Sequence, residues 1–500
     1  MAAILSKLRT VAALPGPQGL PVVGSFFEVD FESFHQDLER WAEEFGSIYR
    51  IRLGPRSLVV TSDADTIKRM HRERPDTFRR TQRLAAAIEE MGFKGVFSAE
   101  GDDWRRQRKL VAMALNTAHL KPFFPKLMVT TQRLLARWER AAASGATVDL
   151  CRDLMRFTVD VTTQIAFGID VNTIETDGPV IQQKLDQVFP ILNWRINAPF
   201  PYWRYFRLPQ DRALDRALAD IQVQVDGMIA DVRQRMQADP SLFQSPTNFL
   251  EAIIAAKESQ GVELSDADIF GNVCTLLLAG EDTTANTIAW AINFFIEYPA
   301  LFARARAEVD AVLGEALLPG DIEHTAQLPF IEAFYNETMR LKPVAPLTAM
   351  EPLEDVELNG YRIPKGTIVL ILTRRIAVDE RRFGHAAQFD PDRWLKSDAE
   401  RGCPHDTTAF LPFGTGPRFC PGRNLAVLEI RTALAMLCRN FDVRLANGAQ
   451  PVEERLAFTM MPKNLMVRLS KREAKDPGQN YLGNTEGVPE WLQPGAIRGQ

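Results

Sequence analysis

Apolar positions along the chain fall into long runs of helical spacing, broken by a few short extended stretches. A Pro/Gly-rich lead-in, LPGPQGLPVVG (Leu14–Gly24), marks where folded structure begins. FHQDLERWAEEFG then repeats its apolar residues every three or four positions, which predicts an amphipathic helix. SIYRIRL and SLVVT, separated by Gly54-Pro55, predict a hairpin. From about Asp102 to Leu341 the spacing is overwhelmingly helical. ELNGYRIPKGTIVLIL predicts a second hairpin, turning at Asn359-Gly360. From about Lys471 the chain is polar and rich in Gly and Pro, as a loose tail is. No repeat and no linker divides the middle. The expected architecture is mainly α with a small β portion: one large domain at 25–470, an N-terminal segment at 1–24 and a flexible tail at 471–500.

The longest helical run is SDADIFGNVCTLLLAGEDTTANTIAWAINFFIEYP, Ser265 to Pro299. Ser265 and Asp268 suit a capping box, and Pro299 ends the run. It is apolar on nearly all sides, so it is expected to be buried. Its middle, AGEDTT (Ala279–Thr284), puts two acids and two threonines where unpaired charge is costly. Gly280 weakens the helix there, and a threonine hydroxyl can bond back to the preceding turn and open a groove. Two readings stand: a kink with satisfied polar groups, or a proton-handling site beside a ligand.

Composition narrows the function. With 46% hydrophobic and 25% charged residues and a net charge of −5, the chain has an ordinary globular make-up, and its mild acidity argues against nucleic-acid binding. Five widely spaced cysteines (Cys151, Cys274, Cys403, Cys420, Cys438) form no CxxC pair, which argues against a disulfide framework or a zinc site and for a reducing, cytoplasmic compartment. No run reaches the roughly 18 apolar residues of a membrane span, so no transmembrane anchor is expected. The start, MAAILSKLRTVAAL, reads as a frayed end or as a short helix on a membrane surface. The six histidines form no HxxxH or HExxH pattern, and P-loop, GxSxG and GxGxxG motifs are absent.

Candidate chemistry concentrates in FGTGPRFCPG, Phe413–Gly422. Gly414, Gly416 and Gly422 permit tight turns or close approach to a flat ligand. Pro421 opens a helical pattern, so Cys420 lies at or just before a helix N-terminus, where free amides and the dipole favour a thiolate. The plainer alternative is a small core residue. Glu337 and Arg340, at i, i+3, suit a charge-assisted pair, and Arg393 in FDPDRW offers a second partner. Trp104 and Arg108, at i, i+4, present an indole N–H and a guanidinium suited to a carboxylate, or else belong to a solvated basic helix.

Taken together and in this order, WxxxR at 104–108, (A/G)Gx(D/E)T at 279–283, ExxR at 337–340, PxRx at 391–394 and FxxGxRxCxG at 413–422 resemble the cytochrome P450 superfamily over about residues 14–470. The likeness is to the soluble bacterial type without a fused reductase. It implies a haem-thiolate monooxygenase that hydroxylates or epoxidises a hydrophobic small molecule. A peroxygenase, an isomerase or a non-catalytic haem-binding protein are the alternatives. The implied cofactor is heme b, with Cys420 as axial ligand to its iron, pushing electron density onto the metal. By the same resemblance Phe413 and Gly422 belong to the cofactor loop, and Arg418, Trp104 and Arg108 hold propionates. Glu337, Arg340 and Arg393 form a buried structural triad. Asp282 and Thr283 deliver protons on the distal face, with Ala279 and Gly280 making room for oxygen. Electrons from NAD(P)H are implied to come through a separate partner, a ferredoxin with its reductase or a flavodoxin-type reductase, and Arg105, Arg106 and Lys109 are candidates for its docking patch. Residues 78–95, 181–206, 344–348 and 458–462 are implied to line the substrate pocket. Two positions depart from the family pattern: Met350, and Ala377-Val378, stand where basic residues are common.

Overall fold

The apolar run after Ser265 folds as one helix, Asp266–Glu297, in a computed structural model that describes residues 8–176, 188–198, 200–260, 264–396, 405–446 and 450–472. Its reciprocal cap is formed: Ser265 Oγ accepts from the Asp268 amide at 3.1 Å, and the Asp268 carboxylate accepts from the Ser265 amide at 2.9 Å. The helix is the spine of the molecule. It packs along Leu150–Phe167 and against Pro329–Leu341 and Arg423–Asn440. Apolar side chains from these helices and from Thr117–Ser144, among them Phe157, Phe295, Phe334, Leu434 and Trp138, form one continuous core.

The main sheet has five strands in the order Ile48–Leu53, Arg56–Thr61, Val369–Leu372, Leu347–Pro352, Phe78–Arg80. The first two are the expected hairpin. The second expected hairpin forms from Val356–Leu358 and Tyr361–Ile363, with Asn359 and Gly360 both at positive φ. It ends at Ile363. Val369–Leu372 crosses instead into the five-stranded sheet, where all four residues are buried, because a wholly apolar VLIL needs both faces covered. Near the C-terminus Met466–Lys471 lies between Phe441–Leu445 and Thr147–Asp149, and Glu453–Leu456 pairs with Met460–Lys463.

Both ends of the folded body differ from expectation. Arg9–Thr10 pair in parallel with Tyr361–Arg362, and Leu14 is buried, so the chain from Arg9 onward is not a frayed end. Residues 1–7 lie outside the described residues. At the other end Lys471 pairs with Phe441, and Arg472 donates to Asp310 at 2.5 Å and to the Cys438 carbonyl at 2.8 Å, so the body runs through Arg472. The expected tail from 473, and Cys403, lie outside the described residues.

Candidate active site

The loop carrying Cys420 is shaped by its backbone. Gly414 and Gly416 have φ of +71° and +70°, and a Cβ on Gly416 would sit 2.7 Å from the His71 carbonyl oxygen, so a side chain there is excluded twice over. Gly422 has an ordinary φ of −83° and is the N-cap of Arg423–Asn440. The Cys420 amide donates to the Phe413 carbonyl at 2.9 Å. Cys420 thus stands two residues ahead of a helix N-cap, as the sequence predicts. Its electrostatics differ from the prediction. Burial pushes the thiol up, and the Gly422 amide, the Arg108 guanidinium and the Arg423 amide pull it down without prevailing. The helix terminus alone does not make this sulfur a thiolate; a further cationic centre is needed, and a metal ion supplies one. Among the described cysteines Cys420 is nevertheless distinctive. Burial also raises Cys151, Cys274 and Cys438, whereas at Cys420 the Gly422 and Arg423 amides oppose it. Among the described residues no three His, Cys, Asp or Glu side chains converge to hold a metal.

In the central helix Ala279 is exposed and Thr283 partly so, while the turns around them are buried. A groove therefore opens along that side. Thr283 Oγ1 donates to the Ala279 carbonyl at 2.8 Å, the back-bond read from the sequence, and Thr287 repeats it on the Thr283 carbonyl at 2.8 Å. Asp282 is buried. Gly280 also has a packing role: a Cβ there would lie 2.6 Å from Thr162 Oγ1 on Leu150–Phe167, so this glycine lets two helices close on each other.

Glu337, Arg340 and Arg393 meet in the core. Arg340 donates to both Glu337 oxygens at 2.8 Å and to the carbonyls of Ala377, Ala386 and Gln388 at 2.9, 2.6 and 2.9 Å. All five of its N–H donors are thereby used. Arg393 Nε, the Asp390 amide and Trp394 Nε1 also donate to Glu337, at 2.9, 2.9 and 3.0 Å. This network fixes the segment ahead of the cysteine loop.

Trp104 is buried, with the Arg418 guanidinium 4.5 Å over its ring, and Arg108 follows one turn on in the helix Gly101–Ala114. The structure adds Arg74, Arg80 and Glu100, which sequence reading did not single out. Arg418 donates to the Ala99 carbonyl at 2.6 Å and pairs with Glu100. Glu100 accepts also from the Arg80 amide at 3.1 Å and from Arg74 Nη2 at 3.4 Å. Burial, then like charge, holds Arg80 down to about 9; burial and the charges of Arg74 and Arg108 hold Arg418 down to about 10 despite Glu100. The Nε atoms of Arg74, Arg80 and Arg418 are buried without a hydrogen-bond partner. The guanidinium groups of Arg74, Arg80, Arg108 and Arg418 gather about the Glu100 carboxylate, and the two propionates of a porphyrin fit beside them. The signal available in the sequence was the doubled Arg79-Arg80 together with the missing cation at Met350.

The other expected regions divide. Arg105 pairs with Asp102 at 2.5 Å and with Asp76, and Arg106 with Asp103 at 2.6 Å, so their charges are already met within the chain. In the aromatic run, Trp194, Phe200, Tyr205 and Phe206 are exposed. These four residues of the expected pocket lining are solvent-accessible; residues 181–187 and Pro199 lie outside the described residues. In 458–462, Thr459 and Met460 are buried, while Phe458 is partly accessible and its ring lies 6.3 Å from that of Phe97.

A helical body with a minor β part holds one loop cysteine beside a buried arginine cluster, an arrangement suited to a haem enzyme. Comparison with known proteins narrows it. The family model described as Cytochrome P450 matches residues 14–469, and the chain belongs to that family. The chain is 27% identical over 476 residues to the chloroplastic cytochrome P450 97B2 of Glycine max (86% of this chain, 82% of the relative), and 26% identical over 489 residues to cytochrome P450 27C1 of Danio rerio (94% and 88%). It is also 27% identical over 472 residues to a self-sufficient cytochrome P450 monooxygenase of Phanerodontia chrysosporium, covering 93% of this chain and 43% of that one. The crystal structure of the cytochrome P450DA heme domain superposes with a TM-score of 0.82 at 23% identity, covering 93% of this chain and 99% of that chain, a likeness of fold. The protein is an oxidoreductase of the P450 monooxygenase family, whose cofactor is heme b, reduced from NAD(P)H through a redox partner.

Proposed function

We propose that the chain is a haem-thiolate monooxygenase for a hydrophobic small molecule, with Cys420 as the ligand to iron. The observation that carries this reading is the environment of Cys420, on which two helix-terminal amides and Arg108 converge. Heme b held there supplies the oxygen-activating redox chemistry. The chain's own groups do the rest. The amides of Gly422 and Arg423 and the Arg108 guanidinium stabilise negative charge at Sγ, and Phe413 fixes the Cys420 backbone through its carbonyl. Arg108, Arg418 and Trp104 orient the propionates. Thr283 holds a proton at Oγ1 on the groove side, and the buried Asp282 carboxylate relays protons from the interior. Ala279 keeps the groove narrow-walled but open. Glu337, Arg340 and Arg393 hold the scaffold rather than act on substrate. The catalytic domain is taken as residues 25–470, with the folded body reaching back to Arg9 and on through Arg472.

A relay of this kind favours a monooxygenase over a peroxygenase or isomerase, neither of which needs protons delivered for O–O cleavage. Electrons are proposed to come from a separate ferredoxin with its reductase or a flavodoxin-type reductase. A fused arrangement is the second reading, since the chain matches 43% of the length of a relative named self-sufficient. A cytoplasmic location suits the free thiols of Cys151, Cys274, Cys420 and Cys438, and no helix among the described residues is long and apolar enough to cross a membrane. The test is turnover under labelled dioxygen. The purified chain with NAD(P)H alone should be inactive, and a ferredoxin–reductase pair should restore product carrying one labelled oxygen atom. Full activity with peroxide alone, unmatched by any partner system, would replace this reading with the peroxygenase.

A further inference from the structure

Behind the groove of the central helix, Leu150–Phe167 presents two threonines one turn apart, Thr158 and Thr162, both buried. Thr158 Oγ1 donates across to the Glu281 carbonyl at 2.9 Å, closer than the carbonyls of its own helix, Met155 at 3.0 Å and Leu154 at 3.2 Å. A hydroxyl has one proton to donate, so the bond between helices competes with the local ones. That carbonyl belongs to the peptide group joining Glu281 to Asp282. Residues 279 and 283 share the groove side of the helix, and residue 281 stands on the opposite side. The hydroxyl therefore grips, from behind, the peptide that carries Asp282 and, one residue on, Thr283. A side chain that inserts into the ladder of a helix tilts the carbonyl it bonds and bends the helix locally. Thr162 makes no such bond: its Oγ1 is buried without a hydrogen-bond partner, against the space a Gly280 Cβ would fill. The close approach at Gly280 brings Thr158 within reach of the central helix.

We propose that Thr158 is a positioning residue for the proton relay, holding the Glu281–Asp282 peptide so that Asp282 and Thr283 keep their places along the groove. The inference rests on the haem-thiolate monooxygenase reading above, and its test separates the two. Thr158→Val keeps the shape of the side chain and removes the donor. Thr162→Val, one turn on, removes a hydroxyl that bonds nothing. Two properties of the holoenzymes are compared, neither of which needs a substrate. One is the C–O stretching band of the ferrous carbonyl complex, which responds to distal polar groups. The other is the ratio of peroxide to water formed from dioxygen with NAD(P)H and a ferredoxin–reductase pair; peroxide takes two electrons and two protons, and two waters take four of each. Thr158→Val should displace the band and raise the peroxide-to-water ratio about two- to fivefold, as expected for the loss of one hydrogen bond. Thr158→Ser keeps the donor and should match wild type in both, as should Thr162→Val. If Thr158→Val does not accumulate as holoenzyme, Thr158→Ala decides: the same displaced band and raised ratio, absent from Thr158→Ser, support the proposal. A wild-type band and ratio in the variant lacking the donor would overturn it. Equal changes in Thr158→Val and Thr162→Val would also overturn it, by showing that packing of the shared face matters and the hydroxyl bond does not. A wild-type enzyme without the thiolate-type Soret band of the ferrous carbonyl would instead overturn the haem-thiolate reading itself.

Discussion

Thr283 donates its hydroxyl proton to the Ala279 carbonyl at 2.8 Å, so acting as a relay means exchanging that bond for one across the groove. An alanine there keeps the helix and removes the exchange. Thr283→Ala should still bind haem and substrate and still oxidise NAD(P)H in the presence of a partner system. Product formed per cofactor oxidised should drop several-fold and hydrogen peroxide should rise, with Thr283→Ser near wild type. Asp282→Asn should slow turnover roughly tenfold or more, since an amide cannot carry protons. An unchanged product ratio in Thr283→Ala would leave the threonine as a local helix feature. At this scale much of the site was legible, because Thr283, Glu337 with Arg340, and Cys420 with its glycines are defined by spacings of a few residues. Arg74, Arg80 and Glu100 were not. Their meeting rests on hydrogen bonds from Arg74 and the Arg80 amide to Glu100, between residues 26 and 20 positions apart, which no local pattern carries.

Gly280 shows what an element-level reading misses. From sequence it is a weak point in a helix; in the fold it is the contact that lets Asp266–Glu297 approach Leu150–Phe167, with Thr162 Oγ1 where a Cβ would be. Gly280→Ala should lower stability by about 1–3 kcal/mol through overpacking, offset in part by alanine's better helix propensity. Gly280→Ala with Thr162→Ala removes the clashing atoms and should recover most of the loss, as unfolding midpoints of the holoenzymes would show. Equal losses in the single and double variants would contradict the contact. Long helices such as Asp266–Glu297 were readable from periodicity and caps. Short strands were less so: Phe78–Arg80 and Thr147–Asp149 are three residues each, and their partners lie far away in sequence.

Across the whole molecule Glu454 ties distant parts of the chain together. It accepts from His35 at 2.7 Å, Gln36 at 2.8 Å, Lys342 at 2.5 Å and Arg374 at 2.6 Å, joining the helix Phe34–Phe45, the end of Pro329–Leu341 and the hairpin Glu453–Leu456/Met460–Lys463. Burial pushes this carboxyl up, but the hydrogen bonds and the charges of Arg374 and Lys342 outweigh it and hold it well below its ordinary 4.5. A depressed carboxyl stabilises the fold fully above its unfolded value and loses that contribution as pH falls below it. Glu454→Gln should therefore cost about 3 kcal/mol at pH 7, and its deficit against wild type should shrink as pH falls through 4.5, read from denaturant midpoints. A deficit independent of pH would mean that the carboxylate's charge is not what joins these elements. The central claim, at this same scale, is that the fold exists to hold a haem through one sulfur. The most direct measurement is the ferrous carbonyl spectrum of wild type and Cys420→Ala. Wild type should show the strongly red-shifted Soret band of thiolate ligation, and Cys420→Ala should lose it; survival of that band in Cys420→Ala would contradict the account.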